Sequence, residues 1–92
     1  MLNQFMVIGR ISKLHKNDEI TEISVSVPRN YKNTDGVYEN DIINCVLLKE
    51  IAERTLEYCS VGNMVGIKGT IESDGENNIL KAEKVTFLSQ SK

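Results

Sequence analysis

The chain has 92 residues, of which 40% are hydrophobic and 26% are charged, a balance typical of one small globular domain. We expect a single domain over residues 1–92. The longest uninterrupted apolar runs have four residues, at 5–8 and 45–48, whereas a membrane helix needs about 18. The formal net charge is −2, so bulk charge gives no support to a nucleic-acid partner, and such a partner must be argued from where the cations lie.

The first residues contain no basic segment followed by an apolar stretch, so we expect no secretory signal and a cytoplasmic location. The two cysteines and the single histidine are not spaced as a metal site. Cys45 lies in an apolar run and Cys59 in a helical pattern, while His15 lies in a polar stretch with no nucleophile near it in sequence. We therefore expect no metal, no cofactor, no disulfide and no enzymatic activity.

Two strands are predicted in the first third of the chain. Residues 5–11 are rich in β-branched and aromatic side chains, and residues 20–27 contain Ile23, Val25 and Val27 in strict alternation with two serines. The polar residues 12–19 between them end the first strand. Pro28 either ends the second strand or lies on a sheet edge, where a missing N–H is tolerated.

The rest of the chain predicts a hairpin, a strand, a helix and two more strands. Residues 29–38 form a hairpin arm around the Asp35-Gly36 turn, and residues 42–48 form a strand. Apolar residues at helical spacing over 51–59 predict an amphipathic helix that Gly62 closes. Strands follow at 64–71 and 79–88, joined by a turn at 73–78. This order predicts an all-β fold: a five-stranded oligonucleotide-binding barrel, or OB-fold, with one short helix between strands three and four.

The first strand is apolar on both sides. Phe5, Val7 and Ile11 share one face, but Met6 and Ile8 on the opposite face are apolar as well. A strand of an isolated small barrel should expose one polar face. We infer that the outer side of this strand meets another subunit, with a long loop lying over it as the alternative.

A single-strand binder needs cations along a groove and flat side chains on which bases stack. The acidic residues concentrate on the helix, in the 72–76 turn and around 18–22, which would leave one face basic. The candidate cations are Arg10, Lys13, Arg29, Lys32, Lys49, Lys68, Lys81 and Lys84. Alternatively, any one of these lysines belongs to a solvated surface of mixed charge and does not contact DNA.

Tyr31 is the best stacking candidate because it lies between Arg29 and Lys32 on an exposed hairpin arm with little core to fill. Tyr38 on the same arm is a second, more ambiguous candidate.

Several motifs together resemble the bacterial single-stranded DNA-binding proteins. The resemblance runs from residue 1 to about residue 71 and resumes over 85–88. The motifs are Met1-Leu2-Asn3-Gln4, Val7-x-Gly9-Arg10, Arg29-Asn30-Tyr31-Lys32-Asn33, Gly36-x-Tyr38-Glu39-x-Asp41-x-Ile43-Asn44-Cys45-Val46, Ala52-Glu53, Glu57-Tyr58 and Gly62-x-x-Val65-x-Ile67-x-Gly69.

The resemblance implies an OB-fold protein that coats single-stranded DNA with little sequence preference in replication, recombination or repair. It implies a homotetramer built from dimers that pair through the first strand, with a dimer as the smaller alternative and Leu2, Met6 and Ile8 at the interface. Replication proteins would be further partners, and the protein would associate with the nucleoid.

The sequence departs from the family pattern at several places, including a shortened loop at about residues 13–19. Two usual stacking positions fall on the aliphatic residues Ile42 and Leu48, and the hairpin over 73–78 carries no aromatic residue. No acidic, aromatic tip follows residue 88, so we expect a compact variant or a truncated chain without the recruiting tail. Because aromatic rings are missing from the stacking positions, we expect weaker DNA binding. An alternative function is an OB-fold adaptor that acts mainly through protein partners, similar to primosomal replication protein N.

Overall fold

The computed structural model describes residues 2–16 and 20–88. Five strands close into a barrel in the order β1-β2-β3-β5-β4. β3 and β5 pair in parallel, and the other four neighbouring pairs are antiparallel. This is the predicted five-stranded barrel with one helix between the third and fourth strands. The elements are β1 (Phe5–Lys16), β2 (Thr21–Lys32), β3 (Tyr38–Leu47), α1 (Lys49–Tyr58), β4 (Met64–Ser73) and β5 (Asn78–Phe87).

β1 continues to Lys16. The prediction that the polar residues 12–19 end the first strand is therefore wrong for residues 12–16, which belong to the strand. The register of β1 against β2 shifts between Ile11 and Lys13, which makes Ser12 a β-bulge. Beyond the bulge Leu14 is half-buried, whereas Lys13 and His15 are exposed. The bulge interrupts the two-residue period of the side chains, so this polar segment resembles a loop in sequence although it is a strand.

β2 passes through Pro28 and ends at Lys32. Pairing of β1 with β2 stops at Arg10 and Ser26, so Pro28 has only β3 as its neighbour, opposite Asn40. The edge interpretation of Pro28 is therefore confirmed, since an edge tolerates the missing N–H.

The tip of the β2–β3 hairpin is closed by the turn predicted at Asp35-Gly36. The Asn33 side-chain oxygen accepts hydrogen bonds from the backbone N–H groups of Asp35 and Val37, at 2.9 and 3.0 Å. Gly36 has a φ of 77°, in the left-handed region that favours glycine.

All five strands contribute to one apolar core, and α1 covers it with Ala52 and Thr55. The buried Thr55 hydroxyl donates to the Ile51 carbonyl at 2.8 Å, so it costs little to bury. Burial raises the pKa of the Cys45 thiol to about 11 and raises that of Cys59 as well, which keeps both thiols protonated at neutral pH. Both cysteines are free. Among the described residues, no helix is long and apolar enough to cross a membrane.

Two glycines allow close packing of neighbouring strands. A Cβ at Gly69 would overlap the Lys81 carbonyl oxygen and lie 2.9 Å from the Phe5 ring, and a Cβ at Gly9 would overlap the Ser26 carbonyl oxygen. The backbones of neighbouring strands therefore approach closely at these two positions, as happens where a sheet curls into a small barrel.

Candidate nucleic-acid interface

The outward side chains of β2, of β3 and of β1 from Arg10 onwards form a continuous surface, here called the outer face. Because side chains alternate along a strand, the residues between those buried in the barrel point to solvent. Cross-strand pairing arranges them in three rows. The rows are Arg10–Ser26–Ile42, Lys13–Ser24–Asn44 and His15–Glu22–Val46.

Arg10 and Lys13 lie on the β1 side of the outer face. Arg10 is exposed, and its guanidinium donates to the Gly62 carbonyl at 3.1 Å, which holds it at the end of the first row. Lys13 is exposed and lines a cavity of about 220 Å³ in the middle of the face. Within the described residues, no carboxylate lies in ion-pair distance of either cation. Both predicted cations can therefore reach a phosphate.

Lys81 lies at the opposite border of the outer face, next to Val46 through the parallel pairing of β3 with β5. Its ammonium group forms an ion pair with Glu72 at 3.0 Å. The structure brings Lys81 close to the predicted site, but with its charge partly offset.

The β2–β3 hairpin extends beyond the barrel as an arm, residues 28–40, that carries both predicted stacking residues. Tyr31 is 60% exposed and Tyr38 is 54% exposed, so both rings are accessible. The Lys32 ammonium lies 5.7 Å from the centre of the Tyr38 ring, within cation–π distance. An accessible aromatic ring beside a cation is the arrangement that stacks a base and holds its phosphate.

Arg29 does not present a free charge, although it was predicted to contact DNA. Its guanidinium donates to both carboxylate oxygens of Asp41, over distances of 2.9 to 3.2 Å, and lies 3.9 Å from Glu39. These hydrogen bonds raise the pKa of Arg29 above its ordinary value and lower the pKa of Asp41. Arg29 therefore links β2 to β3 at the base of the arm.

Leu48 and Lys49 lie at the other end of β3, where the strand passes into α1. Both side chains are exposed. Since a strand rises about 3.3 Å per residue, Tyr38 and Leu48 are separated by about 33 Å along the chain. The predicted residues of β3 and α1 thus extend from the arm to the start of α1.

Lys68 is not part of the outer face. It lies on β4, with Met6 of β1 on one side and Lys84 of β5 on the other. The exposed side chains of Met6, Ile8 and Leu88 surround this position and form a second surface, here called the apolar face. The structure therefore separates Lys68 and Lys84 from the other predicted cations.

The residues predicted at a subunit interface are all exposed in the single chain. Leu2 is 88%, Met6 68% and Ile8 53% exposed. The alternative prediction, a loop lying over this strand, is wrong for the described residues. Leu2 precedes β1 in a segment that Asn3 fixes, because the Asn3 amide exchanges hydrogen bonds with the backbone of Ile71 at 2.7 and 3.0 Å.

Sequence reasoning missed the polar centre of the outer face. His15 was placed in a loop but lies in β1, opposite Glu22. Ser24 donates from its hydroxyl to the Asn44 side-chain oxygen at 2.6 Å. The alternation of β2 identifies Ser24 as an outward residue, but only the strand register shows that it faces Asn44 and Lys13.

Comparison with known proteins identifies the family. The model of the "Single-strand binding protein family" matches residues 2–89. The chain belongs to the single-strand binding protein family. The resemblance inferred from the motifs is thereby confirmed. Because this is a family of DNA-binding proteins rather than enzymes, the prediction of a non-enzymatic protein is confirmed as well.

Curated relatives match most of the chain. Single-stranded DNA-binding protein B of Bacillus subtilis is 33% identical over 84 residues, which cover 85% of this chain and 74% of that protein. Single-stranded DNA-binding protein 3 of Streptococcus agalactiae is also 33% identical over 84 residues, with 85% of this chain and 61% of that protein covered. The chain thus spans about three fifths of the second relative and about three quarters of the first.

Solved structures share the fold at low sequence identity. The mitochondrial single-stranded DNA-binding protein of S. cerevisiae superposes with a TM-score of 0.76 at 17% identity, over 97% of this chain and 96% of that one. The N-terminal domain of the PriB protein from Thermoanaerobacter tencongensis, solved as a dimer, gives a TM-score of 0.70 at 17% identity, over 95% and 97% of the two chains. These matches confirm the OB-fold.

Proposed function

We propose that this protein binds and coats single-stranded DNA with little sequence preference, using the outer face and the arm. The observation that carries the proposal is the position of Arg10 and Lys13. Both are exposed and free of carboxylate partners among the described residues, on a face that continues into the accessible rings of Tyr31 and Tyr38. Membership of the family and the names of its curated relatives support the same function.

The phosphates of the strand lie near Lys13, Arg10 and Lys32, and bases stack on Tyr31 and Tyr38. Each stacked base contributes about 1–3 kcal/mol, whichever base it is, which accounts for the low sequence preference. Two further predicted contacts, with Lys49 and Leu48, extend the path to the start of α1. Lys81 contributes less because its ion pair with Glu72 must open or be shared.

Aliphatic residues replace aromatic rings along the middle and end of this path. Ile42 is 56% exposed on the outer face and Leu48 is exposed at the end of β3. Both provide apolar contact to a base but no π-face, so we expect weaker binding than in a protein with aromatic rings there.

The protein acts, on this proposal, as a homo-oligomer in replication, recombination or repair, at the nucleoid in the cytoplasm. The apolar face supports the oligomer, since Met6 and Ile8 form part of an exposed apolar patch with Leu88. A homotetramer built from two dimers, with a single dimer as the alternative, buries this patch. Replication proteins are the further partners proposed.

The test is a titration of fluorescent oligo(dT) with the wild type and with Tyr31→Ala, at two salt concentrations. We expect Tyr31→Ala to weaken binding by about 1–3 kcal/mol, because one stacked base loses its ring. Tyr58→Ala is the matched control, since Tyr58 is also half exposed but lies at the end of α1 against Phe87. Unchanged affinity in Tyr31→Ala contradicts the stacking role. Absence of binding by the wild type at low salt contradicts the proposed function itself.

An adaptor function is the second candidate. It is favoured by the ion pairs that offset the charges of Arg29 and Lys81, which reduce the cations available to DNA. On this alternative, the purified protein forms a stoichiometric complex with a replication protein in the absence of nucleic acid and shows no binding to oligo(dT) at low salt.

A further inference from the structure

A groove runs between α1 and the second half of β5, and no residue of the outer face or the arm lines it. Its volume is about 570 Å³. Residues 83–87 of β5 line one side, and Ile51, Arg54 and Thr55 of α1 line the other. Because neighbouring side chains of a strand point to opposite faces, a groove lined by consecutive residues follows the backbone edge of that strand.

The edge of β5 in this groove has no partner strand. Pairing of β3 with β5 ends at Ala82, whereas β5 continues to Phe87 with β4 as its only neighbour among the described strands. Glu83 is a β-bulge, since Ala82 and Lys84 pair with adjacent residues of β4. Every second backbone N–H and C=O of residues 83–87 points away from β4, and within the described ranges none of these groups bonds to another element. They can therefore pair with an added strand.

The floor of the groove is apolar. Ile51, Val85 and Phe87 are half-buried and pack against the barrel core. The buried Thr55 hydroxyl donates to the Ile51 carbonyl, so it offers no free donor to the groove. The Tyr58 ring lies 6.1 Å from the Phe87 ring, measured between ring centres, and adds apolar surface at the end of α1. An apolar side chain of an occupant can pack on this floor.

The border of the groove favours a negatively charged occupant. Arg54 and Lys84 are both exposed, and no carboxylate of the described residues lies in ion-pair distance of either one. Glu83 is the one carboxylate that lines the groove, since the glutamates of α1 lie outside it. Carboxylates of an occupant would therefore give both cations the partners they lack.

We propose that this groove binds an extended peptide segment of a protein partner, which adds to the edge of β5 as a further strand and carries acidic and apolar side chains in alternation. In strand addition, backbone hydrogen bonds provide affinity and pockets for alternate side chains provide specificity. The apolar side chains of the segment pack on Ile51, Val85 and Phe87, and its carboxylates pair with Arg54 and Lys84. The inference does not depend on the proposed single-stranded DNA binding.

The first test titrates the protein with a short fluorescein-labelled peptide of alternating Asp and Val residues and measures fluorescence anisotropy. We expect saturable binding without nucleic acid. The same peptide with Lys in place of Asp should bind far more weakly, because like charges repel. A wild type that does not bind the acidic peptide, or binds both peptides equally, overturns the proposal.

N-methylated versions of the acidic peptide test for strand addition. One version carries N-methyl groups on its Val residues and the other on its Asp residues, so each blocks the N–H groups along one edge of the peptide strand. Because only one edge can pair with β5, one version should lose binding and the other should keep it. Equal affinities of the two versions would show that the peptide does not add as a strand.

Two variants test the cations. Arg54→Gln and Lys84→Gln should each weaken peptide binding by about two- to fivefold, the effect of one exposed ion pair. Lys16→Gln is the matched control, because it changes the net charge equally but lies at the end of β1, outside the groove. Unchanged affinity in both Arg54→Gln and Lys84→Gln would place the peptide elsewhere and overturn the assignment.

Hydrogen exchange locates the bound peptide. Alternate backbone amides of residues 83–87 should exchange rapidly in the protein alone and slowly once the peptide is added. Lys84 also borders the apolar face, so a second copy of the chain is the competing occupant. Slow exchange at these amides without peptide would mean that such a copy already pairs with the edge, against the proposal. Oligo(dT) binding should be equal in Arg54→Gln and the wild type, so a failure of the coating function is observed separately from a failure of the groove.

Discussion

Arg29 and Asp41 join the two strands of the arm at its base. The Arg29 guanidinium donates through two nitrogens to the carboxylate of Asp41, over distances of 2.9 to 3.2 Å. Their strand positions explain the contact, because Val27 pairs with Asp41 and Pro28 pairs with Asn40. A bidentate pair of this kind orients both side chains. The pair also offsets the charge of Arg29, which lies two residues before Tyr31 in the sequence.

Removing the carboxylate should release this cation to DNA. In Asp41→Asn, the only carboxylate that still pairs with Arg29 among the described residues is that of Glu39, at 3.9 Å, so the charge of Arg29 becomes available to a phosphate. We expect tighter binding to oligo(dT) at low salt. The plot of log affinity against log salt should become steeper by about 0.7, the value for one additional phosphate contact on a single strand.

The matched control for this variant is Asp74→Asn, which changes the net charge equally. Asp74 lies in the β4–β5 turn, where its side chain accepts hydrogen bonds from the backbone of Glu76 and Asn77. The salt slope of Asp74→Asn should equal that of the wild type. Equal slopes for Asp41→Asn and the wild type would mean that Arg29 never reaches the DNA.

The same pair makes part of the fold's stability depend on pH. The hydrogen bond from Arg29 lowers the pKa of Asp41 below 3.8 in the folded state. A group whose folded pKa is lowered stabilises the fold above its unfolded pKa and loses this contribution as pH falls through the folded value. We expect the melting temperature of the wild type to decrease more than that of Asp41→Asn as the pH is lowered from neutral to below 3.8. Parallel curves for the two proteins would contradict this assignment.

Gly69 should tolerate no side chain. A Cβ at this position overlaps the Lys81 carbonyl oxygen, which belongs to the backbone of the paired strand and cannot rotate away. We expect Gly69→Ala to destabilise the fold by at least ~3 kcal/mol, measured by urea denaturation, or to prevent folding. Gly66→Ala in the same strand is the control, because its Cβ would lie 3.7 Å from Ile8 and 3.8 Å from Leu88. Similar urea midpoints for the two variants would show that the strands can separate at Gly69.

The architecture followed from local patterns in the sequence, because each strand and the helix has its own side-chain period. Alternation around Val25 and helical spacing around Thr55 both mark residues that are fully buried. The bulge at Ser12 could not be predicted, since its effect is to break that alternation. The same break concealed His15 as a strand residue on the outer face.

The composition of the site was harder to predict than the fold. Sequence reasoning identified Tyr31 as an accessible ring, because it lies between Arg29 and Lys32 on a hairpin arm with little core to fill, and its ring is 60% exposed. It also grouped Lys68 with the other cations, although β4 carries Lys68 to the apolar face. Which strands are neighbours around a closed barrel, and which carboxylate lies beside which cation, depend on contacts between residues distant in sequence.

The apolar face should hold copies of the chain together. Ile8→Lys places a charge in the middle of this face, beside Gly66 and Leu88, while the side chain still points to solvent in the single chain. Burying an unpaired ammonium group is costly, so the variant should sediment as a smaller species than the wild type at equal concentration. Val61→Lys is the control, because Val61 is similarly exposed but lies in the turn after α1. A wild type that sediments as a monomer, or an Ile8→Lys variant of unchanged mass, would show that this face is not where the subunits meet.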